Sequence, residues 1–166
     1  MSDDPRITAA IDLVYREADL LDRRQWPEWL ALYAADCTYW APSWIDEDRM
    51  SADPMREISL IYYAGREGLE DRVQRITSGR SLASDPLPRT IHAISNVQAA
   101  IAGDGVVVRS NWAVDSYDLR TDRATRLFGR YEHDIRRGAD GAALIAAKRI
   151  EVMNARLPSI IDIYSI

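Results

Sequence analysis

Four long β-rich segments occupy the second half of the chain: Arg89 to Ala102, Val106 to Leu119, Ala124 to Arg136 and Ala143 to Met153. Only short polar breaks separate them, namely Gly103-Asp104-Gly105, Thr121-Asp122-Arg123 and Gly138-Ala139-Asp140-Gly141. Breaks this short join neighbouring antiparallel strands, so the pattern predicts a meander of four long strands. One face of such a sheet must be covered, and the first half of the chain supplies the cover. Asp4 before Pro5 reads as a helix N-cap with proline at the first helical position. Ile7, Ala10, Ile11, Val14, Ala18 and Leu21 then recur at three- and four-residue spacing. Pro27 opens a second short helix carrying Trp29, Leu30 and Tyr33, and Cys37 to Trp40 reads as extended up to Pro42. Acidic Asp46, Glu47 and Asp48 sit among turn residues in an exposed loop. The run from about residue 56 to Tyr63 is expected to be helical, and Leu69, Val73 and Ile76 mark another helix ending by Gly79.

Helices first and an antiparallel sheet afterwards define an α+β domain with the helices on one sheet face. A strongly curved sheet would wrap them into a cone. No repeat, linker or low-complexity segment divides the sequence, so residues 1–166 are expected to form a single domain. No apolar run is long enough to cross a bilayer and no leader pattern opens the chain, which predicts a cytoplasmic protein with no membrane role. The net charge of -5 argues against nucleic-acid binding, and the single cysteine, Cys37, cannot form an internal disulfide. Five tryptophans and eight tyrosines stand against one phenylalanine. Such rings favour places apolar at one end and wet at the other, as at a subunit interface. Trp40, Trp44, Tyr62 and Tyr63 are candidate anchors for a partner, or core residues.

The residues limit the chemistry of the chain. A Rieske cluster needs two cysteines and two histidines, and the chain has one cysteine and two histidines in all. A mononuclear oxygenase iron would need both His92 and His133, which fall on different predicted strands without metal-motif spacing. No catalytic, cofactor-binding or metal-binding residue is therefore assigned. Gly103-Asp104-Gly105 lacks the helix and glycine of a phosphate loop and reads as a turn. His92, near Ser95 and Asn96, is a candidate general base with Asp36, Tyr39 or Tyr117 as partner, or else a histidine bonded within the sheet. Asp36 is expected at a helix end or in a loop, and Cys37 as a small buried side chain. Arg56-Glu57 and the group Glu67, Glu70, Asp71, Arg72 and Arg75 read as a partner-binding or solvated face. Arg89, Arg109, Arg126 and Arg130 read as cross-strand or intersubunit pairing groups.

The segment Asp53 to Tyr63, continued by Gly68-Leu69-Glu70-Asp71-Arg72-Val73, resembles the beta (small) subunit of bacterial aromatic-ring-hydroxylating dioxygenases, nearest the benzoate, toluate and anthranilate type. The resemblance continues through Pro88-Arg89-Thr90, Ile94-Ser95-Asn96-Val97, Asn111-Trp112, Phe128-Gly129 and Ile161-Asp162-Ile163-Tyr164, and so covers nearly the whole chain. It implies a nuclear-transport-factor-2-like (SnoaL-like) cone. It also implies a homotrimer joined to an alpha subunit, three of each. That subunit would hold a Rieske [2Fe-2S] cluster and a mononuclear Fe(II), fed from NADH through a reductase, and would cis-dihydroxylate an aromatic, in the narrower case an aromatic carboxylate. This chain would be a scaffold without cofactors. Ser165, where benzoate-type members carry histidine, departs from the pattern. So do Ser81-Leu82-Ala83-Ser84 and Asn154-Ala155-Arg156-Leu157-Pro158. The alternatives are a free-standing isomerase, dehydratase or lyase of the same fold using His92, and a non-enzymatic ligand-binding domain.

Overall fold

The computed structural model describes residues 4–79, 86–157 and 161–166; Ser81 to Ser84 and Pro158, among the departures just named, lie outside them. Helix α1 runs over Pro5–Asp22, with Asp4 as its N-cap accepting from the Arg6 backbone N–H at 2.9 Å. The short α2 spans Trp26–Leu30. Both follow the proline-at-start pattern, although Tyr33 belongs to the next element rather than to α2. Strand β1 covers Tyr33–Pro42 and β2 covers Ser59–Ala64. Helix α3 follows at Arg66–Thr77. The meander is β3 (Arg89–Ala102), β4 (Gly105–Asp118), β5 (Arg123–Arg137) and β6 (Ala143–Val152), within a residue or two of the sequence reading.

All six strands form one sheet in the order β2-β1-β6-β5-β4-β3. The meander pairs antiparallel throughout, while β1 joins β6 in parallel and carries β2 antiparallel on its far side. Residues 59 to 64 are thus a strand, not the helix expected from about residue 56. The apolar run is too short for its period to decide, and Trp40↔Tyr62 pairing on β1 gives its backbone groups partners that a helix would otherwise provide. Asp36 is likewise in a strand rather than at a helix end, and its side chain points out to Arg136.

Alternation assigns the faces. On β4, Val106, Val108, Ser110, Trp112 and Val114 are buried; on β5, Leu127, Tyr131, His133 and Ile135; on β6, Lys148, Ile150 and Val152. The curved sheet closes this inner face around α1, which lies across β3 and β4. Ile163 and Ile166, both 0% exposed, join the same core, and Asp162 there binds Arg72 of α3 at 2.8 Å through Nε and again through Nη2. One glycine is compulsory for closure. A Cβ on Gly129 would stand 1.7 Å from the Glu151 carbonyl oxygen and 3.2 Å from Trp112 Nε1. The obstacle is backbone of the paired strand, so it cannot swing aside. Gly129→Ala is expected to destabilise the chain by about 3 kcal/mol, as read from the midpoint of urea unfolding; an unchanged midpoint would show that β6 can move away.

Candidate functional site

The inner end of α1 and the inner faces of β1, β5 and β6 bring together a group of polar side chains. Glu17, on the apolar stripe of α1, is 1% exposed, and Lys148 on β6 is 1% exposed. Lys148 Nζ lies 2.9 Å from Glu17 Oε1 and 3.0 Å from Oε2. Oε1 also accepts from Trp29 Nε1 at 2.9 Å and from the Tyr33 hydroxyl at 2.8 Å. The ammonium stands 4.2 Å from the Tyr131 ring centroid, within reach of a cation–π attraction. Tyr131 stacks on Trp112 at 5.2 Å and meets His133 edge-on at 5.4 Å.

Burial alone would drive the Glu17 carboxyl up. The Lys148 ammonium and the hydrogen bonds it receives outweigh that and hold it at about 2. Burial pulls Lys148 down and Glu17 opposes it; with two short contacts to one carboxylate, the pair is a charged one. His133 is forced the other way, first by burial and then by the Lys148 charge, down to about 3, and so is neutral. Burial, with Glu17 next, raises the Tyr33, Tyr39 and Tyr131 hydroxyls well above the ordinary tyrosine range. The acid, the base and the two donors Trp29 and Tyr33 are therefore bonded to one another around one carboxylate.

His92 has a different partner from those the sequence suggested. Its Nδ1 is 2.6 Å from Asp22 Oδ1 at the end of α1, its backbone N–H donates to Asp22 Oδ2 at 2.8 Å, and Thr90 Oγ1 donates to Oδ1 at 3.0 Å. A hydrogen bond from Nδ1 leaves Nε2 as the acceptor, and that nitrogen is buried with no partner among the described residues. Asp36, Tyr39 and Tyr117 are elsewhere. Asp36 pairs with Arg136, the Tyr39 hydroxyl is buried inside the cone with no partner among the described residues, and the Tyr117 hydroxyl donates to Asp122. His92 aligns with Val114 and His133 with Val108, so the two histidines occupy separate rows of the sheet. Among the described residues no three histidine, cysteine or carboxylate side chains gather as a metal site. Cys37 is buried, and burial pushes its thiol up. Neither a Rieske cluster nor an oxygenase iron fits this donor set.

The outer-face arginines pair across strands as the sequence suggested: Arg109 with Glu132 at 2.7 Å, Arg126 with Asp115 at 3.7 Å and Arg130 with Glu151 at 3.8 Å. On α3, Arg66 pairs with Glu70, but Arg72 turns inward to Asp162. Trp40 lies under the Arg149 guanidinium, Trp44 donates to the Val152 carbonyl, and Tyr63 packs beside Tyr39.

Glu17 and Lys148 escaped the sequence reading, although both leave a mark. Glu17 is spaced three and four residues from Val14, Leu13, Leu20 and Leu21, so it falls on the stripe that must face the core. Lys148 alternates with Ile150 and Val152, and it is the only lysine among 21 basic residues.

Removing one member of a buried pair strands the other charge. Lys148→Met is expected to cost about 3–5 kcal/mol, and Glu17→Gln combined with Lys148→Met to recover at least half of it, both by urea unfolding. The pH dependence follows from the same site. Glu17 binds its proton near 4.5 when unfolded and near 2 when folded, so its contribution is complete above pH 4.5 and is lost as pH falls through 2. His133 takes up a proton near 6.5 unfolded and near 3 folded, so stability declines as pH falls from 6.5 toward 3. Urea midpoints measured from pH 7 to pH 4 should fall, and His133→Asn should flatten that slope; an equal slope in the variant would place the titrating group elsewhere.

Residues 16–159 match the family model described as the ring hydroxylating beta subunit. The toluate 1,2-dioxygenase subunit beta of Pseudomonas putida is 41% identical over 159 residues, 95% of this chain and 96% of that one. The benzoate 1,2-dioxygenase subunit beta of Acinetobacter baylyi is 39% identical over 155 residues, 92% of this chain and 89% of the relative. The crystal structure of the benzoate 1,2-dioxygenase beta subunit from Burkholderia mallei superposes with a TM-score of 0.76 at 41% identity, covering 95% of each chain. With the cone-shaped α+β sheet and its N-terminal helices, these similarities identify the chain as a member of the beta-subunit family of aromatic-ring-hydroxylating dioxygenases, and so as part of an oxidoreductase.

Proposed function

We propose that this chain is the non-catalytic scaffold of its dioxygenase: a cytoplasmic homotrimer that orders three alpha subunits and holds no cofactor itself. The alpha subunit would carry the Rieske [2Fe-2S] cluster and the mononuclear iron, take electrons from NADH through a reductase, and act on an aromatic substrate, with aromatic carboxylates as the narrower class. The observation that carries this reading is the interior of the cone. Glu17 and Lys148 are both 1% exposed and spend their bonding capacity on each other and on Trp29 and Tyr33. Side chains this deeply buried and bonded to each other are poorly placed to meet a substrate or exchange a proton. Similarity to toluate and benzoate dioxygenase beta subunits supports the partner and the substrate class.

A second reading has one observation in its favour. Asp22 holds His92 with Nε2 an acceptor that has no partner among the described residues, the arrangement of an oriented general base, which suits an isomerase or dehydratase. The two readings separate on purification of the chain alone and with a co-encoded large subunit, followed by iron analysis and oxygen uptake with aromatic acids. The expected result is iron and uptake only when the large subunit is present, both unchanged in kind by His92→Gln. Turnover by the isolated chain that His92→Gln abolishes would establish the second reading instead.

A further inference from the structure

Around the Glu17–Lys148 pair, the inner face of the sheet gathers polar groups that the protein itself leaves unbonded. Among the described residues nine buried side-chain nitrogen and oxygen atoms have no hydrogen-bond partner, and six of them belong to Tyr39, Ser110, Trp112, Tyr131 and His133. None of these five side chains is more than 4% exposed. The backbone register sets them side by side. Tyr39 and His133 flank Lys148 in one row across β1, β6 and β5, Ser110 faces Tyr131 in the next, and Trp112 stands one step further along β4. Successive rows on one face are about 7 Å apart. The Tyr131 ring spans that step, stacking on Trp112 and meeting His133 edge-on.

Burying one polar group without a hydrogen bond is costly, and a native core with six such atoms together calls for a guest that bonds them. The chemistry of the six atoms defines it. The two tyrosines and the serine each donate and accept, the Trp112 N–H only donates, and the neutral His133 ring donates through one nitrogen and accepts through the other. An anion would satisfy only the donors and a cation only the acceptors. Either would also lie beside a Glu17–Lys148 pair whose charges already cancel. A neutral guest that both donates and accepts fits the whole set. With ring centroids 5.2 and 5.4 Å apart the side chains touch, so that guest is far smaller than an organic substrate.

We propose that the cone contains a built site for water: a small cluster of water molecules bound among Tyr39, Ser110, Tyr131 and His133 and reaching the Trp112 N–H. Each molecule makes about three hydrogen bonds, as buried waters commonly do. The cluster ties β1, β4 and β5 together through groups that make no bonds to one another, and it extends along the sheet the polar centre that Glu17 and Lys148 begin. Its lining side chains are all buried, so its molecules exchange with bulk solvent only when the cone opens.

A high-resolution crystal structure of the full chain, alone or with its large subunit, tests it. The expected result is water density within roughly 2.7–3.2 Å of the Tyr131 hydroxyl, Ser110 Oγ and a His133 ring nitrogen. Side chains bonded directly to one another, an ion at that place, or no density beside these atoms would overturn the proposal. Stability supplies a second readout, because Tyr131→Phe and Ser110→Ala each delete one hydroxyl with little change of shape. Where water holds the hydroxyl, the deletion loses a bond, lowers the urea midpoint and weakens folding by about five-fold; Tyr131→Phe crystals should also lose the water bound there. Where the hydroxyl is unbonded, its deletion relieves a penalty and the midpoint rises. A raised or unmoved midpoint in both variants therefore counts against bound water as decisively as absent density. Should a variant fail to fold, the wild-type density decides alone.

Discussion

The Glu17–Lys148 pair governs the interior of this molecule. Two opposite charges more than nine-tenths removed from water are tolerable only if each finds the other and the remaining lone pairs are met. That requirement joins the first helix to the last strand, elements 131 residues apart in sequence. Trp29 and Tyr33 are drawn to the same carboxylate oxygen, and so α2 and the start of β1 are fixed as well. The wall of aromatic rings around the ammonium, from Trp112 through Tyr131 to Tyr39, then follows from the need to surround a cation with polarisable faces where water is excluded. An apolar core of the same volume could be as stable. A charged one accepts fewer alternative alignments, because any slip of β6 by one residue would carry the ammonium to the outer face.

Much of this architecture is legible in the residues. Period and turn chemistry locate α1, α3 and the four meander strands, and the count of one cysteine and two histidines alone is too small for a Rieske cluster. What was not legible is non-local. Residues 59 to 64 are a strand because β1 offers a partner, and nothing within the segment announces that β1 will be there. The parallel joining of β1 to β6 is similarly a property of the closed sheet. His92 was recognisable as a conspicuous side chain, but its partner Asp22 lies 70 positions away on a helix, and only the packing of α1 over β3 brings them together. Glu17 and Lys148 were readable in principle, since each interrupts an apolar face, but a pattern of faces does not say that two interruptions will coincide.

The two faces of the sheet contrast in how their ionisable side chains are engaged. Inside, Glu17 and Lys148 are bonded to each other and to Trp29 and Tyr33, and His133 is held neutral by burial and the Lys148 charge. Outside, the arginine and carboxylate rows are loosely engaged, at 3.7 and 3.8 Å for two of the three cross-strand pairs, and remain free to exchange partners with another surface.

The solitary lysine has a practical corollary. With 21 basic residues of which one is lysine, the surface is cationic solely through guanidinium, and the single ε-amine lies in the core. Acylating reagents, aldehyde cross-linkers and enzymes that acetylate lysine would find no such amine on the folded chain. Whatever modifies Lys148 must wait for the cone to open, so the residue is a built-in chemical reporter of that event.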